Sequence, residues 1–190
     1  PEIMRKQGVT EEKYLQGRLH SAKRLAHYVI MSCLRSSRQA LAEHIVGTEA
    51  AKNQFSLHGF SKQNETGNTI YKVQEMAGCV PENRLTIDFP GWLTEPSVHE
   101  QACQHDAEIY QQIYQRLKAM SDGRERTKAR HLLKMLMKHG LVLAFDSKLI
   151  SLEVIRQLIR EEHPEIKPMI ATGEDQRAKE TRQAHKGLNR

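Results

Sequence analysis

Apolar residues recur at three- and four-residue steps in five stretches of the chain, and each such stretch predicts an amphipathic helix. The first runs from Thr10 to about Met31 through Leu15, Leu19, Ala22, Leu25, Ala26 and Val29. Thr10 is its expected cap, with Glu11 and Glu12 in the first turn, where carboxylates complement the helix dipole. A second helix is expected from Ser36 or Ser37, with Ala40, Leu41, His44 and Ile45 on one side and Gly47 ending or interrupting it. A third spans Val98 to Met120 on a stripe of Tyr110, Ile113, Tyr114 and Leu117. Ser121-Asp122-Gly123 breaks it, and a fourth covers about Glu125 to His139, with Gly140 where a left-handed cap belongs. The fifth passes through Leu152, Ile155, Leu158 and Ile159 and stops before Pro164.

Two segments depart from this pattern. Residues 53–98 hold a polar, turn-rich run at 61–69, the prolines Pro81, Pro90 and Pro96, and only short apolar bursts. They predict a long, partly ordered insertion, and its length hints at two units joined here. The second segment is Leu141-Val142-Leu143-Ala144-Phe145, a short continuous apolar run of the kind found in a strand buried on both faces. With the fifth helix and a second strand candidate from Ile166 to Thr172, it predicts a βαβ crossover and a parallel sheet. The expected fold is therefore mainly α with a small C-terminal α/β portion. Residues 1–122 form a helical region with the insertion at about 53–98, and 123–190 form the α/β part, which ends in a polar helical tail after Gly173. Two strands alone make no stable sheet, so partners must come from 53–98 or from sequence past Arg190.

Composition narrows the function classes. No stretch approaches the roughly 20 apolar residues that cross a bilayer, and the first residues have no apolar core of a signal peptide. A cytoplasmic protein without a membrane partner is expected. Lys+Arg number 29 against 23 Asp+Glu, a net charge of +6 that suits a phosphate backbone or is simply a basic surface with no partner. Cys33, Cys79 and Cys103 are odd in number and widely spaced, better read as reduced, buried thiols than as a disulfide frame.

Catalytic patterns are missing. No Gly is followed by Lys, so the phosphate-wrapping Gly-x-x-x-x-Gly-Lys-Ser/Thr loop is absent. No Asp-Glu pair follows an apolar strand to hold Mg²⁺, and the chain alone should not hydrolyse ATP. His99 and Cys103, with Glu100 and His105, sit near zinc-ligand spacing, but a zincin needs His where Cys103 stands. Helix-surface histidines and a packed thiol are the simpler reading, and no metal site is expected. No nucleophile elbow of the Gly-x-Ser-x-Gly kind is present. What remains is basic charge in three places: Arg18, Lys23, Arg24, Arg35 and Arg38; Arg124, Arg126, Lys128, Arg130, Lys134 and Lys138; and Arg177, Lys179, Arg182, Lys186 and Arg190. Each run is a helix's wet face or a set of phosphate contacts.

Residues 125–190 resemble the opening of the second RecA-like lobe of superfamily 2 helicases, closest to the Swi/Snf-type ATPases. The resemblance is carried by Lys128-Ala-Arg-His-Leu-Leu-Lys-Met-Leu, then Gly140-Leu-Val-Leu-Ala-Phe-Asp-Ser, then Met169-Ile-Ala-Thr-Gly-Glu-Asp. Leu34-Arg-Ser-Ser-Arg-Gln-Ala-Leu resembles the helical region between the two lobes, and Glu108-Ile-Tyr-Gln-Gln-Ile-Tyr resembles the pre-lobe helix. The resemblance implies an incomplete RecA-like lobe preceded by a helical region, a fragment of a DNA translocase or remodelling ATPase. ATP and Mg²⁺ would bind in the parent motor and not in this chain. Double-stranded DNA and the rest of the motor would be the partners. Ser147, Lys148, Thr172, Gly173 and Arg177 are the implied nucleic-acid contacts. The alternative is a stand-alone helical interaction or nucleic-acid-binding module with no ATPase link.

Overall fold

The computed structural model describes residues 8–172 apart from Gln63. The expected helices form. Helix α1 is Glu11–Ser36, and the Thr10 hydroxyl accepts the Lys13 N–H at its start. Ser37 caps α2, Arg38–Val46, by accepting the Ala40 N–H at 3.0 Å. Gly47 then serves as the end of α2 and the start of α3, Thr48–Gln54. Its φ of 90° is what lets the chain turn between two helices without a gap. Helix α4, Thr69–Glu75, and a single 3-10 turn at Gly91–Leu93 give the 53–98 insertion the order it has. Helix α5 is Pro96–Ala119, with proline in its first turn, and α6 is Gly123–His139, ended by Gly140 at φ 73°. Helix α7 is Leu149–Glu162.

The short helix α2 is the hub. It packs against α1, α3, α4, α5 and α7, while α4 lies on α5 and α6 on α7. That is why it is buried nearly all round, with Leu41 at 1% and Ile45 at 0% exposure, where a surface helix would bury one stripe. One apolar cluster joins Leu41 and Ile45 to Ala129 and Leu133 of α6 and to Ile150, Val154 and Leu158 of α7. The core therefore runs across the boundary expected near residue 123.

In the polar run at 61–69, which suggests a loose loop, Lys62, Thr66 and Thr69 are clamped onto α2 and the first residue of α3. Thr66 donates its N–H to the Thr48 hydroxyl at 3.1 Å, Lys62 pairs with buried Glu43 at 3.2 Å, and the Thr69 hydroxyl donates to the His44 carbonyl at 2.8 Å. Gly67, at φ 83°, passes so close that a Cβ there would stand 1.9 Å from the Glu43 carbonyl oxygen.

The expected βαβ portion is not formed. Among the described residues the chain is all-helical, with no strand and no sheet. The helix between the two candidates is in place, but 141–145 and 166–172 are irregular and exchange no backbone hydrogen bonds with each other. The cause is the one that makes any isolated pair of strands marginal: a sheet needs further strands to pair with, and the described residues of 53–98 supply none. The apolar residues still seek cover. Both segments lie along α6 and α7, and exposure alternates residue by residue from Ile166 to Thr172, with Ile166 packed on the core. The polar tail expected after Gly173 lies outside the described residues.

Candidate functional site

Two places concentrate unusual chemistry, and they sit at opposite ends of the loop that enters α7. The first is the joint between α1 and α2. Ser36 donates its hydroxyl proton to Asp146 Oδ1 at 2.7 Å. Its contact with Ser151 Oγ, 2.6 Å, must then have Ser151 as donor, and the Ser37–Ser151 contact, 2.7 Å, must have Ser37 as donor. Ser37 in turn accepts the Ala40 N–H. Four groups thus form a one-way chain that starts at a helix N-terminus and ends on a carboxylate, each hydroxyl using its single proton. Asp146 also accepts the Lys148 N–H at 2.8 Å, which fixes the entry to α7.

Around this chain α6 turns its basic residues inward. Lys128 Nζ donates to the Arg35 carbonyl at 2.9 Å and the Ser36 carbonyl at 2.5 Å, and Arg124 donates to the Leu34 carbonyl, so cations cover the carbonyls that end α1. Glu125, 2% exposed, accepts the Arg38 N–H at 3.0 Å at the positive end of α2. Arg38 donates to the Met120 carbonyl and lies over the Phe55 ring, 5.1 Å from its centre. Arg126 pairs with Asp122, Glu161 and Glu162, and Arg130 with Glu162, which holds the Glu162 carboxyl below the usual carboxylate range. Four of the six cations in this run, Arg124, Arg126, Lys128 and Arg130, are thus internal wiring between helices. Sequence spacing along α6 gives no sign of it, because the acceptors of Arg124 and Lys128 lie 90 to 93 residues away and that of Arg130 lies 32 away.

The second place is the apolar layer over α6 and α7. Residues 141–146 and 166–172 border a groove of about 900 Å³ floored by Leu132, Leu136, Leu152, Ile155 and Ile159. Its outer side is bare: Leu141 is 73% exposed, Phe145 92% and Met169 93%. Single exposed hydrophobics are ordinary, but a contiguous run of them marks a surface that takes a partner.

Three of the implied nucleic-acid contacts lie within the described residues. Ser147 is exposed at the bend before α7, and Thr172 borders the groove at the last described position. Lys148 is half-buried, and its charge acts on Cys33 and His44. Burial pushes the Cys33 thiol up against the opposing effect of Lys148. Burial holds the His44 imidazole below its ordinary value, helped by Lys148 and Lys72. Gly173 and Arg177 lie outside the described residues.

The remaining candidates give no site. His99 is buried, not on the helix surface, with Cys103 Sγ 3.8 Å from its Nδ1, and no group of three metal-ligating side chains occurs among the described residues. Cys33 is buried and Cys103 half-buried, as a packed thiol should be, but Cys79 is exposed; all three are free. No described helix is long and apolar enough to cross a membrane. No known protein family matches the chain, and no curated protein or solved structure matches it either.

Proposed function

We propose that this chain is part of a helicase-like, nucleic-acid-dependent ATPase of the Swi/Snf kind, acting on double-stranded DNA in the cytoplasm. It contributes helices and coupling surfaces and no catalytic group, and ATP and Mg²⁺ belong to other parts of the motor. The observation that carries the reading is the bare apolar layer: Leu141, Phe145 and Met169 stand in solvent above a groove already floored by α6 and α7. Such a surface fits a segment that the rest of a larger molecule covers. The motifs at residues 128–136, 140–147 and 169–175 supply the choice of family. The experiment is DNA-stimulated ATP hydrolysis, measured on this chain and on the product of the complete reading frame that contains it. Turnover by the longer protein, stimulated by duplex DNA, with none from the chain alone, is the expected result. A reading frame without a phosphate-binding loop overturns it.

A second reading, a stand-alone helical interaction module, is favoured by a different observation. The core around α2 closes without outside help, and its buried carboxylates Glu43 and Glu125 are both paired within the chain. On that reading the apolar layer docks a separate protein, and the complete reading frame adds no motor.

A further inference from the structure

Helix α1 is 26 residues long, yet Cys33 is its only buried residue. From Glu12 to Tyr28 it stands clear of the body, exposed except where Leu15 and Leu19 are half-covered. Both of its ends are held. Glu11 accepts the Thr86 N–H and hydroxyl, each at 2.6 Å, and the far end enters the serine chain. At 100° per residue, Lys13, His20, Lys23, Arg24 and His27 all fall within an arc of about 100°. Leu15, Leu19, Ala22, Leu25, Ala26 and Val29 occupy roughly the opposite side. No carboxylate lies in the basic arc, though Glu12 borders it. All five members are exposed, and among the described residues none makes a side-chain hydrogen bond or ion pair, in contrast to Arg124, Arg126, Lys128 and Arg130 of α6.

We propose that this stripe of α1 is the chain's nucleic-acid contact surface, laid along a phosphate backbone. The inference rests on the nucleic-acid partner of the reading above but moves the contact away from Ser147, Lys148 and Thr172. Charge and reach support it. From Lys13 to His27 the stripe is about 21 Å long at 1.5 Å per residue, and a duplex presents a negative charge about every 1.7 Å of its axis. A lipid surface fits less well. An amphipathic helix enters a membrane by its apolar face, and here that face is built of Leu, Ala and Val without Trp or Phe and carries the charged Arg18 within it.

The test is titration of a fluorescent duplex of about 20 base pairs with the whole chain across a salt series. The variants are the triple Lys13→Gln, Lys23→Gln, Arg24→Gln and, as control, Arg18→Gln, which sits on the apolar side. The triple variant should weaken binding about tenfold or more at low salt and flatten the salt slope by roughly 3, about one per cation, while the control changes little. Circular dichroism should show both variants as helical as the parent. If the parent binds duplex and the triple binds equally well with the same slope, the stripe is not the surface, and the nucleic-acid reading stands without it. If the parent binds no duplex, or binds vesicles of anionic lipid instead, the nucleic-acid partner and the stripe fall together.

Discussion

The α1–α2 joint and the apolar layer at 141–172 are built from equally ordinary residues and end in opposite states. At the joint most polar groups have found a partner from a distant part of the chain, Ser36 from Asp146, Ser37 from Ser151 and the Arg38 N–H from Glu125, while Arg38 Nε and Gln39 Oε1 are buried without one. In the layer the apolar side chains have found a floor and no roof. The difference is the number of neighbours. Helix α2 meets five other helices, whereas 141–145 and 166–172 meet α6 and α7 on one side only. Burial and hydrogen bonding stabilise a segment when surfaces surround it, and a hydrophobic sequence without them stays irregular.

Substitutions can widen or close that contrast. The largest effect is expected at the hub, where Leu41→Ala removes a 1%-exposed side chain from a position with little room to collapse. It should cost about 2–5 kcal/mol in urea unfolding. Next is the serine chain. Ser151→Ala leaves the Ser37 hydroxyl without an acceptor and the Ser36 oxygen without a donor in a dry site, at about 1–3 kcal/mol. A Ser151→Ala protein that melts like its parent would show the chain to be incidental. A smaller effect comes from pH. His44 has a depressed folded-state value, so the unfolded chain binds the proton more readily. Stability should therefore be complete above the ordinary imidazole value of about 6.5 and decline as pH falls below it. His44→Gln should flatten the pH dependence of the melting temperature between pH 7 and 5. Smallest of all, Phe145→Ser, at a 92%-exposed position, should shift stability by no more than about 0.5 kcal/mol. If it destabilises as Leu41→Ala does, the layer is already part of a closed core and the contrast fails.

Local signals were legible and distant ones were not. Thr10, Ser37, Gly47 and Gly140 are short-range punctuation, read from a residue and its next three neighbours, and the caps stand where they were expected. The five amphipathic stripes were likewise visible in their spacing. The strands at 141–145 and 166–172 were read from composition alone, and composition reports what a segment would bury, not whether a neighbour exists to bury it. The same blindness affected the chemistry. Lys128 and Arg124 look like any exposed cations until the carbonyls of Leu34, Arg35 and Ser36 are brought to them by the fold. Lys148 likewise shows its influence on Cys33 and His44 only once the fold brings them near. The clearest missed signal was within reach: the angular spacing of Lys13, His20, Lys23, Arg24 and His27 is computable from sequence, but which charged helix stays unpaired is not.

Connections rich in Ser, Asn, Thr and Gly are where proteins ordinarily absorb insertions and deletions without harm. The stretch from Lys62 to Thr69 breaks that expectation, because its donors and acceptors meet α2 at fixed intervals and Gly67 slides past a carbonyl with no space for a methyl group. Adding or losing one residue there would shift every one of those contacts at once. The most dispensable-looking stretch is the one whose length the fold has to keep.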